Sequence, residues 1–282
     1  APMEDVSDPP FRALCKKHGA DVMYTEFISS EGLIRNALKS SKKLDIFEDE
    51  RPVGIQIFGS DIESMKKATA LAAAANPDII DINYGCPVKK VLGRCRGGFH
   101  LSQPDVALDI IQRTRKAVPS SIPVTVKMRR GIDDTEQSRD HFFTIIDGAF
   151  DIGVAAVTVH GRTVKQRYNG PSRWEFLSEV KQRFPDRVIL GSGDLFAAQD
   201  CLDMIAQTGV DGVTVARGCI GNPWIFQQTK ALAKTGVLPP PPSLFEQRKI
   251  IRKHFDLAAL LYGEERTAMV MRKSCIKYSA LH

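Results

Sequence analysis

The sequence is short of several things. It has no run of about 18 apolar residues, so no membrane-spanning helix is expected, and no secretory leader is expected either. No two of its six cysteines, Cys15, Cys86, Cys95, Cys201, Cys219 and Cys275, stand in CxxC spacing. That argues against a disulfide framework and fits a reduced, cytoplasmic setting. Cys86, Cys95 and His100 are near neighbours along the chain but match no zinc pattern, so no metal is expected. No GxGxxG follows any apolar run, which argues against a dinucleotide held at a Rossmann turn.

What is present is a soluble globular composition, 43% hydrophobic and 26% charged over 282 residues, with a net charge of +6. An anionic partner is compatible with that charge and not required by it. Short β-branched runs recur at 21–27, 53–59, 78–85, 123–131, 155–163, 187–194 and 211–218. Helical patterns follow at 61–75, 104–117, 140–152, 173–184, 196–208 and 222–235. With the opening Ala1-Pro2-Met3 this makes eight strands alternating with helices, which predicts a closed (β/α)8 TIM barrel over residues 1–235. An open doubly wound sheet is the rival.

Four prolines break the pattern at 236–243 and read as a linker. The segment 244–282 then carries Leu257, Leu260, Leu261, Met269 and Met271, the marks of packed helices. Its Arg248, Lys249, Arg252, Lys253, Arg266, Arg272, Lys273 and Lys277 outnumber the acids. This is either a solvated face or an anion-facing surface on the start of a second, helical domain, left incomplete.

In such a barrel the carboxyl ends of the strands face the active-site mouth. Those ends offer Pro2 and Met3, Gln56, Asn83 and Cys86, Lys127 and Arg129, His160 and Arg162. The last two add Gly191-Ser192-Gly193 and Ala216-Arg217-Gly218, which read as a phosphate cradle. A mononucleotide across the mouth suits this set, with Gln56 on a ring edge and Lys127 lending positive charge.

Taken in order, "APM…VSDPPFR", "VGIQIFG", "DINYGCPVKKV", "VTVKMRRG", "VHGRTVKQRYNGPSRW", "GSGD" and "ARGCIGNPWIF" resemble the tRNA-dihydrouridine synthases. Two places depart from that family's pattern: "GRCRGGFHLSQP" replaces its Gly-Ala-Gly stretch, and Ser192 replaces its usual Asn. The resemblance implies an FMN-bearing barrel, a C-terminal tRNA-binding domain, and NADPH-driven reduction of uridine to 5,6-dihydrouridine. Hydride is then expected at carbon 6 and a proton from Cys86 at carbon 5, with Lys127 and His160 beside the flavin ring or a substrate carbonyl. Asn83, Arg129, Arg162, Gln166 and Tyr168 are expected to meet the uridine, and Lys89, Lys90, Arg94 and Arg96 the tRNA phosphates. A monomer is expected. An FMN barrel acting on a free pyrimidine, and a non-catalytic tRNA binder, remain the alternatives.

Overall fold

The structure, a computed structural model, describes residues 1–279, and Lys273 by its backbone alone. Residues 280–282 of the expected helical segment, and the Lys273 side chain of its basic set, lie outside the described residues.

Eight parallel strands form a curled sheet: β1 (Met23–Tyr24), β2 (Ile28–Ser29), β3 (Val53–Phe58), β4 (Ile79–Tyr84), β5 (Val124–Arg129), β6 (Ala156–His160), β7 (Val188–Ser192) and β8 (Gly212–Val213). Their hydrogen-bonded order is β1-β3-β4-β5-β6-β7-β8, with β2 also on β3. The expected closed barrel is therefore corrected: among the described residues no pairing joins β8 to β1, and the sheet is open. The reason is local. Ala1-Pro2-Met3 is not a strand; its Ala1 ammonium donates to the Val215 carbonyl at 2.7 Å. The facing edges, β1 and β8, are two residues each, too short to bridge the gap.

The helices are α1 (Pro9–Lys17), α2 (Ser30–Ile34), α3 (Leu38–Ser41), α4 (Ile62–Ala74), α5 (Lys89–Leu92), α6 (Pro104–Ala117), α7 (Glu136–Ile152), α8 (Trp174–Arg183), α9 (Ala198–Thr208), α10 (Ile225–Thr235), α11 (Leu244–Tyr262) and α12 (Glu264–Tyr278). Their starts are chemically marked. Asp8 and Asp61 accept from the backbone N–H groups of Phe11 and Ser64, and Ser243 and Glu246 cap each other's ends.

The strands alternate with period two. Ile55, Ile57, Ile80, Ile82, Val124, Val126, Val157 and Val159 are fully buried and share the main apolar cluster with residues of the helices. The alternate positions are polar: Gln56 pairs in register with Asp81, and Asp81 with Thr125. Polar side chains thus fill the inside of the curl beneath the mouth.

Helices α11 and α12 pack on the sheet body through a second cluster of Leu14, Trp224, Ile250 and Tyr278. Met271 is buried and Leu257 packs against this cluster, whereas Leu260 and Met269 are exposed at 86% and 68%. The apolar residues of this segment therefore do not all face one core. Arg248, Lys249, Arg252, Lys253, Arg266, Arg272 and Lys277 are all exposed.

Candidate active site

A cavity of about 340 Å³ opens at the carboxyl ends of the strands, within the range that holds small ligands. Cys86, Lys127, Arg129, His160, Ser192, Gly193, Ala216 and Arg217 line it, with Asn83, Tyr168, Pro2 and Met3. Gln56, Arg162, Gln166, Gly191 and Gly218 are not on its wall.

Cys86 follows β4 on a tight turn whose shape Asn83 holds: Asn83 Oδ1 accepts from the N–H groups of Gly85 and Cys86 at 2.9 and 3.0 Å. Asn83 Nδ2 donates to Gln56 Oε1 at 2.8 Å, and Gln56 Nε2 donates to Asp81 Oδ2 at 2.6 Å. Gln56, expected on a ligand's ring edge, is fully buried beside the cavity lining, bonded to Asp81 and Asn83. The Cys86 thiol is buried at the cavity wall. Burial pushes its pKa up, against the Val88 N–H and the positive charges of Arg129 and Lys127. It is therefore a thiol near neutral pH.

Gly97 and Gly98 of the unusual loop pack on this cysteine. A Cβ on Gly97 would stand 3.0 Å from Cys86 Cβ, and one on Gly98 3.1 Å from Cys86 O. Arg96 is paired with Glu31 at 2.8 Å and so is not free for phosphate in this arrangement, whereas Lys89, Lys90 and Arg94 are exposed. Cys95 is exposed and His100 is buried on the Gly59 carbonyl, so neither joins Cys86.

Lys127 ends its side chain in the cavity. Among the described residues no acceptor lies within hydrogen-bond reach of its ammonium. Burial lowers its pKa to about 8, helped by Arg129 and opposed by Asp81. It keeps its charge at pH 7 by roughly ten to one. His160 is neutral: burial, then Lys127, Arg129, Arg162 and Arg217, push its pKa down to about 2. Its Nδ1 stands 3.4 Å from Ser192 Oγ, while its buried Nε2 has no partner.

After β7 the chain turns sharply. Gly193 and Asp194 both take positive φ, +122° and +58°, and a Cβ on Gly193 would fall 2.3 Å from Ser172 Oγ. Asp194 accepts from Arg162 at 2.7 Å and from Arg217 at 3.2 Å. Arg162 is thereby turned away from the cavity. The Arg217 guanidinium lies between the rings of Tyr168 and Phe196, 4.6 and 5.1 Å from their centroids. Gly218 is needed for packing, since its Cβ would meet Leu195 O at 2.0 Å.

Arg129 ties the rim together. Its guanidinium donates to the carbonyls of Gly85, Thr163 and Arg167 at 2.8–2.9 Å. Gln166, expected at the uridine, instead accepts from Arg130 Nη2 and the Thr163 N–H, which fixes the 163–169 loop. Asp81, Thr125, Asp194 and Arg130 stand inside the quoted motifs without being marked there as site residues. The first carried a signal, an acid at an alternate position of an apolar strand.

Residues 1–281 match the dihydrouridine synthase (Dus) family. The chain belongs to that family. Among its relatives, a probable tRNA-dihydrouridine synthase of Rickettsia prowazekii is 37% identical over 280 residues, covering 99% of this chain and 84% of its own. One from Aquifex aeolicus is 39% identical over 233 residues, 82% and 71% of the two chains. The tRNA-dihydrouridine synthase B of Xanthomonas campestris is 33% identical over 100% of this chain and 83% of its own. A solved 6-hydroxypseudooxynicotine amine oxidase from Pseudomonas geniculata N1 shares the fold, with a TM-score of 0.62 at 13% identity over 82% of this chain. The chain spans 46% of that protein's length. Family membership makes this dihydrouridine synthase an oxidoreductase.

Proposed function

We propose that this enzyme reduces the 5,6 double bond of a uridine in tRNA, with FMN in the mouth cavity, NADPH as reductant and Cys86 as the proton donor. The residues present suit FMN. The cavity is lined by an ammonium without an acceptor and a buried imidazole nitrogen without a partner. The N–H groups of Gly193 and Asp194 donate to no protein acceptor among the described residues, and suit a phosphate. Bound there, FMN reduced by NADPH would supply the hydride for carbon 6.

Everything else falls to the chain's own groups. Cys86 gives its proton to carbon 5, and the thiolate left behind is reprotonated from water. Lys127 sets positive charge where negative charge builds on the ring carbonyl. Neutral His160 offers a hydrogen bond without competing as an acid. Tyr168, exposed at the rim, borders the entering base, which has to leave its stack to reach the cavity. Residues 1–235 form the catalytic body, 236–243 the linker, and the helices from 244 onward begin the tRNA-binding part. Tight packing of α11 and α12 on the body, with their basic side chains outward, supports that division. Among the described residues no helix is long and apolar enough to cross a membrane; a cytoplasmic setting, where tRNA and NADPH meet, suits the reading.

The observation that carries the proposal is the Cys86 thiol on the same cavity wall as Lys127 and His160. Cys86→Ala is the test. FMN binding and NADPH oxidation are expected to persist, while dihydrouridine formation falls on the order of 10²–10⁴-fold. Undiminished product in a single turnover removes Cys86 from the acid role.

A further inference from the structure

We propose that Asp81, which does not line the cavity, is a positioning residue for this reaction: it sets the direction of the hydrogen-bond chain that ends on the Cys86 turn. The inference rests on the reading of Cys86 as proton donor.

Asp81 is buried, with Thr125 Oγ1 donating to Oδ1 at 2.5 Å and Gln56 Nε2 to Oδ2 at 2.6 Å. A carboxylate only accepts, so Gln56 has to present its NH₂ to Asp81 and its carbonyl to Asn83. Asn83 in turn has to present its NH₂ to Gln56, at 2.8 Å. Its carbonyl is left for the N–H groups of Gly85 and Cys86. With both lone pairs of Oδ1 engaged, Asn83 has one N–H left for the cavity and no acceptor. It can therefore meet a substrate carbonyl but not a ring N–H. Reversing either amide would set donor against donor at the turn and swing the thiol.

Asp81 has a second effect. The charged and titratable groups facing it are Lys127 on β5, the Ala1 ammonium and the Tyr24 hydroxyl on β1. Burial raises its pKa to about 6, and its charge supports the ammonium of Lys127. The carboxylate form, present above about pH 6, is the one that accepts both donors. As pH falls through 6, Asp81 takes up a proton and can donate as well as accept, so the direction of the chain is no longer enforced.

Asp81→Asn tests this. Wild-type product formation should lose activity below pH 6, and the variant should lack that limb, with kcat reduced at least tenfold and KM for tRNA within twofold of wild type. A readout apart from turnover is the midpoint potential of the bound flavin against pH. Its break, set by Lys127, should move to lower pH in the variant, because the Asp81 charge that supports the ammonium is gone. A variant that merely folds less well would lose melting temperature and leave both pH features in place; that result overturns the proposal. Cys86→Ala run alongside separates the two failures. If it turns over like wild type, the acid assignment is at fault. If it fails while Asp81→Asn keeps the wild-type profile, the role of Asp81 is at fault.

Discussion

At the scale of single residues, backbone freedom and burial decide what each position tolerates. Gly193 sits at φ +122° with no room for a methyl beside Ser172. Gly193→Ala is expected to weaken FMN at least tenfold, about 1.4 kcal/mol, in a flavin fluorescence titration, with far-UV circular dichroism unchanged. His160 is neutral throughout the working range, because burial and four neighbouring cations hold its pKa down to about 2. His160→Gln should therefore lower the rate without changing the shape of the pH–rate profile. A limb near pH 6.5 that disappears in that variant would contradict a neutral imidazole.

At the scale of elements, the second apolar cluster fastens α11 and α12 to the body through Tyr278 against Trp224 and Leu14. Tyr278→Ala should cost about 3 kcal/mol of the helices' attachment, read as early protease cleavage after residue 236. NADPH oxidation should survive while tRNA affinity falls. These elements were legible to different degrees. Helix α6 begins and ends as its pattern indicates, since Pro104 and the 3.6-residue period both mark it. Helix α7 starts four residues early, at Glu136, because Thr135 caps it. The opening segment reads as a strand by analogy with its neighbours, yet a strand needs a partner of matching length, and β8 offers two residues. Lys127 and His160 were legible because strand alternation aims them at the mouth, and Cys86 because it follows the carboxyl end of β4. The partners of Gln56, Arg162 and Gln166 were not, since they depend on which side chains neighbouring strands and loops bring alongside.

At the scale of the whole molecule, buried histidines govern acid stability. His18, His100, His160 and His254 all have pKa values lowered by burial. The unfolded chain takes up protons at these sites near pH 6.5 and the folded chain does not, so stability falls as pH drops through 6.5. Asp8 and Asp81, both raised to about 6, work the other way below pH 6, but they are two against four. The melting temperature should fall from pH 7 to pH 5, as calorimetry at half-unit steps can show. The exposed cations of α11 and α12 are expected to set the response to salt. tRNA affinity should drop steeply from about 50 to 200 mM salt, and replacing Arg248, Lys249, Arg252 and Lys253 by Gln should flatten the log–log slope by a little under one unit for each phosphate no longer neutralised.

The three carbonyls that converge on Arg129 come from two segments nearly eighty residues apart in sequence. One guanidinium thus acts as a common rivet, and neither segment can change length without pulling oxygens off it. Loop grafting at this rim should therefore succeed only when both segments are exchanged as a matched set.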